Sequence, residues 1–231
     1  MLPTEQADFS GTINCRLVYT IPHFVGTIRK RRNAMYLSIV QPDLSRVNAA
    51  RAMTNEQDMH RNIQALFDSD RQSINVLYRV IPSKDVRRSV ICVQSDITPV
   101  STSDLKVISC TDAKDRIAGI KAGIMLEYDV LLRPVKRHEG KSTLIRSKDA
   151  RIEWVKSLGQ RYGFRVETIE ELSRIQKTMY HSETKAGRID GWRYVGTLVV
   201  EDLELFTKAY ETGIGRDKSY GYGMLMLKMK G

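Results

Sequence analysis

A glycine-rich run near the end of the chain has the composition of a loop that contacts phosphate groups. Residues 213–223 read GIGRDKSYGYG, in which glycines alternate with two cations and a hydroxyl: Gly213, Gly215, Arg216, Lys218, Ser219, Gly221 and Gly223. Glycine lets a backbone turn through positive φ and approach a bulky ligand, while neighbouring cations attract an anion. We therefore expect these residues to bind the backbone of a nucleic acid. An ordinary glycine-rich turn is the alternative interpretation.

This run is not a P-loop. A P-loop has glycine directly before Lys-Ser, follows a strand and begins a helix, whereas here Asp217 precedes Lys218. The order of elements is also reversed, because residues 201–212 have the pattern of a helix and residues 224–227 that of a strand. The run therefore does not indicate a nucleotide-binding site of the P-loop kind.

The composition favours a polyanionic partner and excludes several classes of protein. The 231 residues carry a formal net charge of +10 and could form one large or two small domains. Cys15, Cys92 and Cys110 are too scattered for a zinc site, and their odd number indicates reduced thiols. We expect no metal and no other cofactor. Since no run approaches the roughly 20 apolar residues of a membrane span, and the first residues lack a secretory pattern, we expect a soluble cytoplasmic protein.

The second half of the chain predicts six elements in ferredoxin-like order. Alternating apolar and polar residues indicate strands, and apolar residues three or four apart indicate helices. The predicted segments are a strand at 126–132, a helix at 147–162 that ends at Gly163, strands at 164–166, 172–180 and 192–200, a helix at 201–212 and a strand at 224–227. A polar, basic tip at 181–190 joins the paired strands. Strand, helix, two strands, helix and strand form a βαββαβ unit.

The first half predicts a similar unit less completely. A strand at 36–40 precedes a helix that begins after Thr54, with Gln57 at capping-box spacing and an apolar stripe that includes Met59 and Ile63. Strands are predicted at 74–81 and 89–94, and residues 98–123 read as a short helix, a strand and a link. We therefore predict an α+β fold of two tandem ferredoxin-like domains, at residues 35–110 and 111–231.

Residues 1–34 match neither unit. The basic group RKRR at 29–32 could form a nucleic-acid arm, although such a run is more often a solvated tail. Because Met35 directly precedes the first strand, we predict that residues 1–34 form a disordered or non-native extension.

Five segments together resemble a known family. They are MYLS at 35–38, DMHR at 58–61, LRPVK at 132–136, IEWV at 152–155 and GIGRDKSYGYGML at 213–225. In this order they are similar to the CasE family, the CRISPR repeat endoribonucleases of the type I-E Cascade complex. The resemblance extends from residue 35 to residue 231.

The resemblance implies a metal-independent RNA endonuclease. Such a protein binds the stem-loop of a CRISPR repeat transcript and cuts at its 3′ base. The 2′-hydroxyl attacks, leaving a 2′,3′-cyclic phosphate and a 5′-hydroxyl. The enzyme stays on the mature crRNA as a subunit of the Cascade surveillance complex, so the implied partners are crRNA and other Cascade subunits, especially the backbone subunit.

His60 is the candidate catalytic residue. It matches the family's histidine in the DMHR segment, and it lies on the edge of the helix stripe, where its imidazole can reach the surface. An imidazole exchanges protons near neutral pH, as internal phosphoester cleavage requires. From the residue type alone, a boundary histidine that merely packs is the alternative.

One position departs from some members of the family. Those relatives have a tyrosine three residues before the histidine, and here that position is Gln57. An amide cannot act as an acid or a base. The candidates to assist His60 are therefore Gln57, as a positioning group, Tyr36 and the cations of the glycine-rich run.

The cations on the two paired strands of the second unit are candidates to bind RNA. They are Arg174, Lys177, Lys185, Arg188 and Arg193. The resemblance implies that this hairpin lies along the repeat stem, where a basic hairpin contacts phosphates and reads shape. For each of them, an exposed charge without a ligand is the alternative.

Two functions remain open at this stage. One is the endoribonuclease, which His60 and the glycine-rich run favour. The other is a subunit that binds crRNA without cleaving it, which Gln57 favours. The sequence does not indicate which repeat is recognised or which nucleotide is cut.

Overall fold

The structure is a computed structural model that describes residues 34–67, 74–138, 141–182 and 185–229. Residues 1–33, which include most of the predicted extension, lie outside the described residues. The first half contains β1 (Tyr36–Pro42), α1 (Val47–Ala52), α2 (Glu56–Gln64), β2 (Val76–Ile81), β3 (Val90–Ser95), β4 (Leu105–Asp112) and α3 (Lys114–Ala118). The second half contains β5 (Met125–Leu132), β6 (Val135–His138), β7 (Lys141–Leu144), α4 (Lys148–Arg161), β8 (Phe164–Ser182), β9 (Lys185–Val200), α5 (Leu203–Thr212) and β10 (Met226–Met229).

Each half forms a four-stranded antiparallel sheet with the same connectivity. The strand orders are β2-β3-β1-β4 and β10-β5-β9-β8, so in both sheets the first strand of the half lies between the third and the fourth. This is the order of the ferredoxin-like fold, and it confirms the predicted fold class. The strands β6 and β7 form a separate two-stranded ribbon.

The helix α2 packs on the first sheet through its apolar stripe. Met59 and Ile63 are buried, in one cluster with Val40, Tyr78 and Ile91 of the sheet. Most polar residues of α2, including Gln57 and His60, therefore lie on the side of the helix that faces away from the first sheet, because residues on opposite sides of a helix cannot both face its sheet.

The two sheets also contact one another. Leu77 and Cys92 of the first sheet cluster with Met224, which lies just before β10. The Gln94 amide donates to the Tyr210 carbonyl at 2.8 Å, which ties β3 to α5. Arg79 of β2 pairs with Asp129 of β5 at 2.7 Å, and its side chain is 7% exposed. Apolar packing and a buried ion pair therefore hold the halves together.

Several local predictions were wrong. The N-cap of α2 is Asn55 and not Thr54. In the segment 98–123 the strand β4 comes first and the short helix α3 follows, so no helix joins β3 to β4 among the described residues. The predicted tip at 181–190 is largely strand, since β8 extends to Ser182 and β9 begins at Lys185. The last strand begins at Met226, two residues later than predicted.

The predictions for the helices of the second half were accurate. The helix α4 begins after Ser147, whose hydroxyl accepts from the Ala150 amide, and Gly163 follows its end with φ 76°. The helix α5 begins after Asp202, whose carboxylate accepts from the Leu205 amide. These capping contacts are local, so the sequence indicates them directly.

Candidate active site

The first turn of α2 presents Gln57 and His60 on one side of the helix. The Asn55 side-chain oxygen accepts a hydrogen bond from the backbone N–H of Gln57 at 3.1 Å, and Asn55 is the N-cap of the helix. The Asp58 carboxylate accepts from Arg51 at 2.8 Å and from Asn55 at 2.7 Å. The hydrogen bond from Arg51 holds the pKa of Asp58 below its usual value. Three interactions thus fix the turn that carries Gln57 and His60.

The glycine-rich loop, residues 213–223, lies against this turn. The Tyr220 ring and the His60 imidazole meet edge to face, with centroids 6.2 Å apart and an angle of 64° between the planes. The Tyr220 hydroxyl donates to Gln57 Oε1 at 3.4 Å. The histidine and the loop, which are 160 residues apart in the sequence, therefore form one site.

The glycines of this loop are required by its backbone. Gly213, Gly215, Gly221 and Gly223 have φ of 75°, 76°, 75° and 80°. A Cβ on Gly223 would collide with the backbone carbonyl oxygen of Ile214. Because residues with a Cβ rarely adopt this region of φ, the backbone of the turn explains why glycine stands at these four positions.

A buried ion pair connects the loop, the hairpin and α2. Lys177 of β8 pairs with Glu56 of α2 at 3.1 Å, and the two side chains are 8% and 14% exposed. The same ammonium donates to the Tyr220 carbonyl at 2.6 Å. Burial lowers the pKa of Lys177, and the Glu56 carboxylate acts in the opposite direction. Lys177, which the sequence indicated as a candidate RNA contact, thus has its ammonium in the interior, where it is engaged by Glu56 and the Tyr220 carbonyl.

Tyr78 of β2 completes the same network. Its hydroxyl lies 3.3 Å from a Glu56 carboxylate oxygen and 3.2 Å from the Ser219 carbonyl oxygen, and its single proton is shared between these two acceptors. Burial, and then the neighbouring Glu56 carboxylate, raise the pKa of Tyr78 well above its usual value, so the phenol stays protonated. The backbone of residues 219 and 220 is therefore held from two sides.

The two cations of the loop differ in their surroundings. Lys218 donates to the Thr212 carbonyl at 2.8 Å and to the Gly213 carbonyl at 3.4 Å, so it caps the end of α5. Burial lowers its pKa. Arg216 is exposed and donates to the Ser142 hydroxyl at 3.2 Å. Ser219 is exposed as well, which leaves Arg216 and Ser219 accessible to a ligand.

The hairpin cations are distributed over both faces of β8 and β9. Arg174 is exposed, pairs with Asp190 at 3.0 Å and lies over the Trp192 ring. Arg193 binds Asp129 at 2.7 Å, on the carboxylate that also holds Arg79. Arg188 is exposed, whereas the side chain of Lys185 lies outside the described residues.

Tyr36 occupies the first position of β1, opposite Ser95 and Asp112 of the neighbouring strands.

The site residue that the sequence patterns did not single out is Tyr220, which contacts both Gln57 and His60. A signal for it was present, because Tyr220 lies within the glycine-rich run. Glu56 and Tyr78 were also missed, since each acquires its role only through contacts with distant segments.

The described residues contain no cluster of three or more His, Cys, Asp or Glu side chains that could hold a metal ion. Within the same part of the chain, no helix combines the length and the apolar character needed to cross a membrane.

The fold and this site place the chain among CRISPR-associated proteins. A family model described as CRISPR associated protein matches residues 35–229. The chain belongs to this family, which the motifs of the sequence indicated. Comparison with curated protein sequences gives no significant match.

Solved structures of similar fold include proteins of CRISPR systems. The chain is similar to Cse3 of Thermus thermophilus bound to an RNA that represents a pre-cleavage complex, with 19% identity, a TM-score of 0.75, and coverage of 84% of this chain and 99% of that chain. It is similar to the CRISPR-associated protein Cas6e of Escherichia coli K-12, with 22% identity, a TM-score of 0.69, and coverage of 84% and 100%. A chain of a CRISPR RNA-guided surveillance complex in a pre-nicking state matches with 21% identity, a TM-score of 0.66, and coverage of 84% and 100%. At these identities the matches establish the two-sheet fold.

Proposed function

We propose that this protein is a metal-independent endoribonuclease that cleaves CRISPR repeat RNA at the 3′ base of its stem-loop. The observation that carries the proposal is the contact between His60 on α2 and Tyr220 in the glycine-rich loop. It brings a group able to exchange protons at neutral pH to a loop suited to phosphate binding. The RNA-bound Cse3 of similar fold supports the choice of substrate.

The chemistry needs one positioned proton-transfer group and a bound phosphate. The ribose 2′-oxygen loses its proton and attacks the adjacent phosphorus, and the bond from phosphorus to the 5′-oxygen breaks. The 5′-oxygen leaves as a hydroxyl after it gains a proton, and the other product ends in a 2′,3′-cyclic phosphate. His60 exchanges a proton in this step: it takes the proton that the 2′-oxygen loses when it is neutral, or supplies the proton that the 5′-oxygen gains when it is charged, and water exchanges the other proton. Arg216, Ser219 and the loop amides bind the backbone nearby.

The hairpin and the loop supply the binding surface for the repeat. Arg174 and Arg188 are exposed on β8 and β9, so they can contact phosphates along an RNA stem. Lys185 stays a candidate contact on the sequence alone. Arg193 is held by Asp129, and Lys177 acts from the interior by holding the loop. After cleavage the protein stays on the crRNA as a Cascade subunit beside the backbone subunit. We place it in the cytoplasm, as the odd number of scattered cysteines indicates.

A second candidate function is a subunit that binds crRNA without cutting it. The observation in its favour is Gln57, because an amide takes no part in proton transfer. Incubating the protein with the repeat RNA of its own genome, followed by mapping of both product ends, separates the two. A 5′-hydroxyl and a 2′,3′-cyclic phosphate at the stem base support the enzyme. Intact, tightly bound RNA supports the structural subunit.

Cleavage is expected to proceed at an unchanged rate in excess EDTA. The reaction as proposed uses the imidazole of His60 together with Arg216, Ser219 and the loop amides, and no step needs a metal-bound water. The measurement is a single-turnover assay with and without the chelator. A control with added Mg²⁺ and no EDTA detects effects of the ion on RNA folding. Loss of scission on chelation, restored by Mg²⁺ or Mn²⁺, contradicts the metal-independent mechanism.

Replacing Arg216 with alanine is expected to weaken RNA affinity and to lower the slope of log K against log salt by about 1, because one phosphate contact is lost. Arg216 is the better test than Lys218, whose ammonium caps α5. Lys106→Ala is the matched control, because it removes an exposed cation on the edge strand β4, and it should leave the slope unchanged. Equal slopes for all three proteins rule out Arg216 as a phosphate contact.

A further inference from the structure

We propose that Tyr220 is a positioning residue for cleavage: its hydroxyl sets the orientation of the Gln57 amide and its ring sets that of the His60 imidazole. The inference rests on the proposed endoribonuclease function. Tyr220 is the residue of the loop that meets both side chains, through the hydrogen bond to Gln57 Oε1 at 3.4 Å and the edge contact with His60 at 6.2 Å between centroids.

The hydrogen bond decides which end of the Gln57 amide faces the open side of the site. A primary amide has one acceptor oxygen and one donor NH₂ group. Because the Gln57 side-chain oxygen accepts from the Tyr220 hydroxyl, the NH₂ group on the other side of the same amide faces away from Tyr220. Phosphate and ribose oxygens accept hydrogen bonds. Gln57 therefore becomes a donor to the RNA beside His60, although it cannot exchange a proton itself.

The position of Tyr220 does not depend on its own side chain. Its carbonyl accepts from the Lys177 ammonium at 2.6 Å, and the preceding carbonyl of Ser219 accepts from Tyr78 at 3.2 Å. Both donors are buried. Removing the phenol oxygen therefore leaves the backbone of the loop in place, and the consequences of that change report on the hydroxyl.

The oxygen-to-oxygen distance of 3.4 Å is long for this kind of hydrogen bond. Hydrogen bonds in substrate-free active sites are often long and shorten in the complex with substrate. The rate of the chemical step with bound RNA is therefore the quantity that tests the contact.

The test compares four proteins with the cognate repeat hairpin: wild type, Tyr220→Phe, Gln57→Ala and the double variant. Tyr220→Phe keeps the ring on His60 and is expected to lower the single-turnover rate about tenfold, the value of one net hydrogen bond. Gln57→Ala should lose a similar factor. The double variant should be no slower than the slower single variant, because both changes remove the same oriented donor.

Tyr222→Phe is the matched control. Tyr222 is the other tyrosine of the loop and is fully buried, and its hydroxyl donates to the Ile189 carbonyl at 3.3 Å. This variant should keep the wild-type single-turnover rate even where its melting temperature falls. For Tyr220→Phe we expect the opposite result, a slower rate with unchanged melting temperature and RNA affinity.

The outcomes distinguish this inference from the function on which it rests. Wild-type protein that leaves the repeat RNA intact overturns the endoribonuclease itself. Active wild type together with a fully active Tyr220→Phe overturns the role of the hydroxyl. Losses that multiply in the double variant overturn the coupling with Gln57. Equal slowing by Tyr222→Phe assigns the effect to general disturbance of the loop and also overturns the inference.

Discussion

Replacing His60 with alanine is expected to lower the single-turnover rate of repeat cleavage by about 10²- to 10⁴-fold, the usual contribution of a positioned acid or base. RNA affinity should hardly change. The lost group is one half-buried side chain on α2, whereas the affinity is proposed to rest on several phosphate contacts on the loop and the hairpin. A cleavage time course at saturating protein, beside a gel-shift titration, measures both quantities.

Gln64→Ala is the control for damage to the helix. Gln64 lies one turn beyond His60 and is the last residue of α2, so its replacement tests the helix without removing the imidazole. It should cleave at nearly the wild-type rate. Wild-type cleavage by His60→Ala would remove the imidazole from the mechanism. An equal fall of affinity and rate would show that His60 is needed for the structure of the site.

Replacing Lys177 with methionine is expected to destabilise the protein by about 3 kcal/mol, because the change leaves the largely buried Glu56 carboxylate, 14% exposed, without its cationic partner. The Tyr220 carbonyl loses its donor at the same time. The unfolding midpoint in urea measures the loss. The slope of RNA affinity against salt should stay at the wild-type value, since Lys177 is 8% exposed and makes no contribution from the surface.

The double variant Glu56→Gln with Lys177→Met is the control for the buried charge. It should recover part of the stability, because neither partner is then left charged in the interior. Lys177→Met with wild-type stability would contradict the buried pair. A reduced salt slope at unchanged stability would return Lys177 to the set of phosphate contacts.

The elements that carry the site could be predicted from the sequence because their signals are local. The stripe with Met59 and Ile63 requires a helix, and a helix places Gln57 and His60 close together on one side whatever it packs against. The glycine-rich run indicates a tight loop for the same reason, since positive φ is a property of single residues. The alternation of apolar residues marked most strands, and their order was sufficient for the fold class.

Shorter elements were not predictable in this way. The helix α1 and the ribbon of β6 and β7 have 6, 4 and 4 residues, too few for a periodic pattern to develop. The boundary at Thr54 was wrong by one residue because Thr and Asn are both good N-caps. The segment between β3 and β4 lacks the expected helix, and nothing in its composition distinguishes a short helix from a coil.

The sequence contained one signal that separates Arg174 from Lys177. They are three residues apart on a regular part of β8, so their side chains point to opposite faces. Arg174 is exposed, and Lys177 lies beside its cross-strand partner Ile189 in the interior. The alternation of side chains along a strand thus predicts that the two cations lie on opposite faces of the sheet. It does not indicate which face is covered, because that depends on how the other half of the molecule packs.

Only the tertiary structure decided which groups complete the site. Lys177 meets Glu56 across 121 residues of sequence, and Tyr220 meets Gln57 across 163. Each of these side chains has an ordinary local environment in its own element. Their roles arise where β8, α2 and the glycine-rich loop converge, and the pairing of distant segments leaves no periodic trace in any one of them. The sequence by itself determined a helix that carries His60 and a tight glycine-rich loop, and the packing of the two halves brought them into contact.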